Sequence, residues 1–210
     1  QHTDFQFHRS GTHWGFFDKW TIDGDILPTV QVNISGVEAA TINNRKVAVD
    51  DGVATFPVFY PGSYAVSYDS VVFTAQKVSE VVTAQGTNHT VRMDLKPSDN
   101  ALESVKDQVR EYLQACAAKN TLYPEGCPFE YAFTGRVDSA VQWTVEKIAD
   151  PQVSVNKQGA WLLKPMTGTA KVSFTQLDLY TGARSRVQKE IPFTLKASIQ
   201  ADSKAVHVIF

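Results

Sequence analysis

Cys116 and Cys127 are the only cysteines in the chain, and they flank the turn-forming stretch Tyr123-Pro124-Glu125-Gly126. Two thiols so placed, with no third to compete, point to a structural disulfide, and disulfides persist in oxidising compartments. Closing a loop of this size stabilises a fold by about 3 kcal/mol in the chain-entropy model. Paired sulfurs are inert as nucleophiles. The cysteines therefore speak for location and stability, not catalysis.

The other residues with chemistry to offer are scattered. His2, His8 and His13 have the right donor atoms for a metal, but zinc ligands occur at closer, patterned spacing with carboxylate or thiolate help. Asp23-Gly24-Asp25 and Asp50-Asp51-Gly52 set carboxylates beside glycine, as calcium loops do. Neither continues with the ligands and distal Glu of such a loop, and turn chemistry accounts for both. No Gly-x-Ser-x-Gly elbow occurs, and His207 alternates with apolar neighbours, as a sheet-face residue does. Asp138, Asp178 and Tyr180 are candidates to line a pocket between a helix and a sheet. Asp178 and Tyr180 also stand just before a turn, where solvent-facing roles are the simpler reading. Trp14 and Trp20 flank glycine-rich, irregular sequence, and aromatics of that kind stack on sugars or anchor a partner. Trp143 and Trp161 lie in strand patterns and are expected to fill a core. Trp14, Trp20, Asp178 and Tyr180 are thus the expected ligand or partner contacts, with no catalytic residue, metal or cofactor assigned.

The elements that must position these residues begin with an aromatic and histidine-rich segment, residues 1–25, expected to be a leader strand and loop whose rings pack on a domain or a partner. Over residues 26–97, apolar and polar residues alternate in short runs (30–34, 40–42, 47–49, 53–59, 64–68, 71–73, 80–83 and 90–95). Turn residues such as Asn43-Asn44 and Tyr60-Pro61-Gly62 punctuate them. That spacing predicts a small antiparallel β-sandwich. After the break at residues 96–100, Leu102, Val105, Val109, Tyr112, Leu113 and Cys116 recur at helical spacing, with Asn100 and Glu103 placed as a reciprocal cap. Strand patterns return at 131–135, 141–145, 153–155, 160–163, 169–180, 187–199 and 205–210. One helix followed by an antiparallel meander is an α+β layout over residues 98–210.

Two stretches resemble known modules. Ser35-Gly36-Val37-Glu38-Ala39-Ala40-Thr41-Ile42-Asn43, then Phe59-Tyr60-Pro61-Gly62-Ser63-Tyr64-Ala65-Val66 and the closing strand Thr90-Val91-Arg92-Met93-Asp94-Leu95, resemble PEGA-type and transthyretin-like β-sandwich modules of bacterial envelope proteins. The helix, cysteine pair and meander that follow are similar to cystatin-like or NTF2-like α+β domains of membrane-anchored actinobacterial proteins. The single helix favours the cystatin-like layout. The pairing also resembles ectodomains related to the staphylococcal teicoplanin-resistance-associated protein. The resemblance implies binding, sensing or scaffolding outside the membrane, with no shared catalytic residues.

Bulk properties agree with that expectation. The chain has 210 residues, 43% hydrophobic and 20% charged, enough for two domains. A net charge of -2 removes any broad electrostatic case for nucleic acid or an anionic membrane surface, since those need a basic face. No apolar run is long enough to span a bilayer. The chain starts at Gln1 without an initiator methionine and reads as the exported part of a longer precursor, with a membrane anchor upstream. The expected function is a non-enzymatic, extracytoplasmic binding or scaffold region of a bacterial envelope protein that meets an envelope component or protein partner. The alternative is a small-molecule-binding NTF2-like domain with unknown or weak enzymatic activity. A cystatin-like inhibitor ranks last, because no Gln-x-Val-x-Gly loop is present.

Overall fold

The computed structural model describes residues 7–22, 27–202 and 204–210. These are mostly antiparallel sheets with one helix among the described residues. They fall into two compact units. The first comprises Gln1–Asp69, Thr74–Lys96 and Lys157–Gly159, and the second Ser70–Phe73, Pro97–Asn156 and Ala160–Phe210.

The first unit opens with β1 (Phe7–His13) and β2 (Phe17–Ile22), an antiparallel hairpin with a bulge after Arg9. The following strands are β3 (Thr29–Asn33), β4 (Ala39–Ile42), β5 (Arg45–Ala48), β6 (Val53–Pro57), β7 (Gly62–Asp69), β8 (Phe73–Val82), β9 (Asn88–Arg92) and β10 (Lys96–Pro97). One sheet runs β6-β3-β9 and another contains the order β8-β7-β4-β5. Alternation does what it predicts: Val30 and Val32 of β3 are fully buried, while Gln31 and Asn33 between and after them keep partial exposure. Asn43 and Asn44 both take positive φ (43° and 66°), as a two-residue hairpin turn requires. The Asn43 amide then clasps β7, donating to the Ser63 carbonyl and accepting from the Ala65 amide.

Two expectations fail here. The sheets are not wholly antiparallel, because β3 and β9 run parallel, Val32 facing Val91. Parallel neighbours need a long crossover, and the chain from β4 to β8 supplies it. Residues 71–73 and 80–83 are not separate strands. β8 is one ten-residue strand along β7. The Ser70 hydroxyl accepts from the Val72 and Phe73 amides, so the turn closes before Phe73.

In the second unit, α1 (Asp99–Ala117) buries Ala101, Val105, Val109, Leu113 and Cys116 along one face. Its cap is Ser98 rather than Asn100. The Ser98 hydroxyl accepts from the Ala101 amide and donates to the Val71 carbonyl, which fixes the helix start two residues early. Then come β11 (Arg136–Val137), β12 (Gln142–Ile148), β13 (Val153–Val155), β14 (Trp161–Leu163), β15 (Met166–Leu177), β16 (Arg184–Leu195), β17 (Ser198–Ala201) and β18 (Val206–Ile209). β15 is central, flanked by β11 and β12 on one side and β16 on the other. The apolar stripe of α1 joins Trp143, Ala170, Val172, Phe174, Phe193 and Leu195 in one core.

Residues 131–135 form no strand. The Tyr131 amide bonds to the Leu122 carbonyl, and the rings of Tyr131 and Phe133 lie against Phe174. The period-two signal there is ring packing without a ladder. Gly135 permits it, since a Cβ at that position would stand 2.5 Å from the Phe133 ring. The last strand does not close the main sheet either. β18 pairs with β17, and Gln108 of α1 seals its outer edge, donating to the Val206 carbonyl (2.8 Å) and accepting from the Val208 amide (2.9 Å).

Candidate functional site

The β1–β2 hairpin is where the fold leaves chemistry uncovered. Every residue of β1 is exposed. At the turn Trp14 is 82% exposed, Phe16 90% and Phe17 69%, and Trp20 on β2 is 60% exposed. The turn spans His13 to Phe16, closed by the Phe16 amide to the His13 carbonyl at 3.4 Å, with Trp14 (φ 54°) and Gly15 (φ 76°) both left-handed. Gly15 suits that conformation. Trp14 does not, because a Cβ beside the carbonyl makes the left-handed region costly for a bulky residue. Its ring stacks on His13 at 5.7 Å.

Register assigns the faces. Arg9 lies opposite Trp20 and Thr12 opposite Asp18, and the Arg9 guanidinium binds the Asp18 carboxylate at 2.6 Å. His13 and Phe17 are paired on the other face, with Gly11 and Lys19 behind them. The bulge is held by Ser10, whose hydroxyl donates to the Lys19 carbonyl and accepts from Thr21. Aromatic surface therefore occupies both faces and the turn.

The remaining candidates disperse. Cys116 and Cys127 are bonded, their Cα atoms 5.7 Å apart. The bridge is supported by Tyr112, whose hydroxyl donates to the Gly126 carbonyl and whose ring stacks on Phe210 at 3.9 Å. Burial pushes the Tyr112 hydroxyl above its ordinary pKa. Trp143 is buried and donates to the Thr121 carbonyl, tying the cysteine loop to β12. Asp178 and Tyr180 lie in the β15–β16 turn. The Asp178 carboxylate accepts from the Tyr180 and Thr181 amides, and the bonds from Thr181 and then Tyr180 hold it below the usual carboxyl range. Tyr180 is 99% exposed. Asp138 sits near that turn and binds Arg184 at 2.5 Å, which raises the guanidinium pKa further. His207 is on the exposed side of β18, between buried Val206 and Val208. His2, Asp23 and Asp25 lie outside the described residues. Asp51 (φ 48°) and Gly52 (φ 81°) form a tight turn closed by Asp50 and Val53.

One constellation joins residues that no local pattern links. His89 bonds through Nδ1 to Glu80 Oε1 (2.7 Å) and through Nε2 to Thr87 Oγ1 (2.9 Å), the connectivity of an acid–base–nucleophile relay. The Thr87 hydroxyl, however, donates to the Ala84 carbonyl at 3.1 Å. A hydroxyl has one proton, and the Ala84 carbonyl competes with His89 for it. The cluster straps the residue 84–87 turn to β8. Nothing in the sequence signals it, because Glu80 and His89 sit on different strands.

Among the described residues, no group of three or more His, Cys, Asp or Glu side chains is placed to hold a metal ion, and no helix is long and apolar enough to cross a membrane. Comparison of the chain with protein families, curated proteins and solved structures finds no match.

Proposed function

We propose that this chain is a non-enzymatic, extracytoplasmic binding or scaffold region of a bacterial cell-envelope protein, and that its docking element is the β1–β2 hairpin. The observation that carries the reading is Trp14: a tryptophan in a left-handed turn position that gains neither burial nor favourable backbone geometry from the fold. Strain and exposure together mark a residue kept for something outside the chain. The Cys116–Cys127 bond fits an oxidising, extracellular setting. In this reading the two sheets of the first unit form a small sandwich that carries the hairpin, and the second unit is a cystatin-like α+β layer.

The small-molecule alternative is supported by a cleft of about 280 Å³ lined by Lys106, Arg110, Gln114, Val145, Lys147 and Pro151. Ligand pockets usually enclose about 300–1,000 Å³ and converge polar groups on the ligand, so this cleft ranks second. The test is co-sedimentation of the full chain with purified bacterial envelope. Wild type is expected in the pellet and W14S/F16S/F17S in the supernatant; equal retention of both sinks the hairpin as docking element, and no retention of either sinks the envelope reading.

A further inference from the structure

We propose that the β1–β2 turn inserts into the interfacial layer of an anionic lipid bilayer, with Trp14, Phe16 and Phe17 at the acyl boundary and Arg9 and Lys19 at the headgroups. This rests on the binding-module reading and names the partner chemistry for the same hairpin.

The distribution of the rings selects a fluid partner over a protein groove. Trp20 is on the Arg9 face, Phe17 on the His13 face, and Trp14 and Phe16 project from the turn between them. A protein surface seats one face of a ribbon and leaves the other in water. A bilayer surrounds an inserted tip from all sides, and tryptophan is enriched at that interface.

The order of residues along the hairpin matches the order of layers. At a strand rise of about 3.3 Å per residue, Lys19 lies roughly 7 Å behind Phe17 and Trp20 roughly 10 Å behind it, and Arg9, opposite Trp20 across the bulge, lies at the same level as Trp20. Interfacial segments bury about 5–10 Å of depth. That depth takes the three tip rings, leaves Trp20 at headgroup level beside the Arg9–Asp18 ion pair, and puts Lys19 where anionic phosphates lie, reaching outward along its alkyl stem.

The backbone sets the limit of insertion. β1 and β2 form a two-stranded sheet, so the outer amides and carbonyls of each strand find no ladder in that sheet and cannot enter hydrocarbon cheaply. Only the turn, closed by its own hydrogen bond, can go deeper.

The full chain is mixed with vesicles of phosphatidylglycerol and cardiolipin, and separately with phosphatidylcholine. Partition is read by sedimentation, and depth by quenching of tryptophan emission with acyl-brominated lipid. Wild type is expected to partition into the anionic vesicles with a blue-shifted, quenched emission. W14S/F16S/F17S is expected to lose about tenfold or more in partition, and R9Q/K19Q to lose affinity for the anionic vesicles alone with a flatter salt dependence. Trp14→Gly relaxes the left-handed position, so a loss of partition in that variant, with an unchanged melting temperature, cannot be ascribed to misfolding. Absence of partition into either vesicle, or a triple variant that partitions like wild type, overturns the proposal. Hairpin-dependent retention on delipidated envelope with no vesicle binding overturns the lipid assignment and leaves the binding reading standing; no retention on whole envelope or vesicles overturns both.

Discussion

The hairpins β1–β2 and β15–β16 both end in exposed apolar turns, and they differ in what their strands rest on. In β15, Ala170, Val172 and Phe174 alternate into a core shared with α1, so one face of a long ribbon is covered. In β1 every residue is exposed. The turns differ in the same sense. At β15–β16, Asp178 collects two backbone amides and Gly182 donates back to the Asp178 carbonyl, so polar turn chemistry explains the loop whatever Tyr180 does. At β1–β2 the first turn residue is a tryptophan with φ of 54°, which turn chemistry does not favour. A two-stranded ribbon without a covered face is marginal in water. Exposed aromatics therefore mean little on a turn the core already holds, and mean more on a ribbon whose described side chains all lie in water.

The sharpest way to break this contrast is Phe174→Ala, which removes a buried ring that Tyr131 and Phe133 lie against. Denaturant unfolding should show a loss of about 3–5 kcal/mol; a loss under about 1 kcal/mol would mean that β15–β16 is no better founded than β1–β2. Next in size is the double change Cys116→Ser with Cys127→Ser, which opens a loop of sequence separation 11 and is expected to cost about 3 kcal/mol. An unchanged melting temperature in non-reducing buffer would remove the bridge from the account of stability and much of the case for an oxidising compartment.

A smaller effect is expected from acid. The folded pKa of Asp178 is depressed, so its contribution is present above the ordinary value of 3.8 and disappears as pH falls through the folded value. Asp202 behaves alike, its carboxylate accepting from the Lys204 and Ala205 amides at the β17–β18 turn. The urea midpoint should therefore fall below pH 3.8, and Asp178→Ala should flatten that fall; the same slope in the variant would assign the acid sensitivity elsewhere. The smallest effect on stability belongs to W14S/F16S/F17S, within about 0.5 kcal/mol of wild type by thermal melting. A larger loss would show that the hairpin tip is part of the fold after all.

Much of this was legible in residue order, and the exceptions share a cause. The α1 stripe from Val105 to Cys116 and the alternation in β3 depend on periods of a few residues, so they could be read directly. The left-handed turns at Asn43-Asn44 and Asp51-Gly52 were announced by their composition. The cap falls at Ser98 although Asn100 is equally competent, because the Val71 carbonyl that favours Ser98 is remote in sequence. The aromatics of the first segment were visible, but not that the fold leaves them in water.

What the chain determined by itself is therefore local: the stripe of α1, the alternation of strands such as β3, the turns rich in Asn, Asp and Gly, and that its two cysteines have only each other. Tertiary structure decided the rest, including the parallel pairing of β3 with β9, the Gln108 seal on β18, the Glu80–His89–Thr87 strap, and which tryptophans are covered. The physical reason is that a β-strand's edge carries the same amides and carbonyls whatever its sequence, so its neighbour is chosen by the burial of faces contributed from many segments at once.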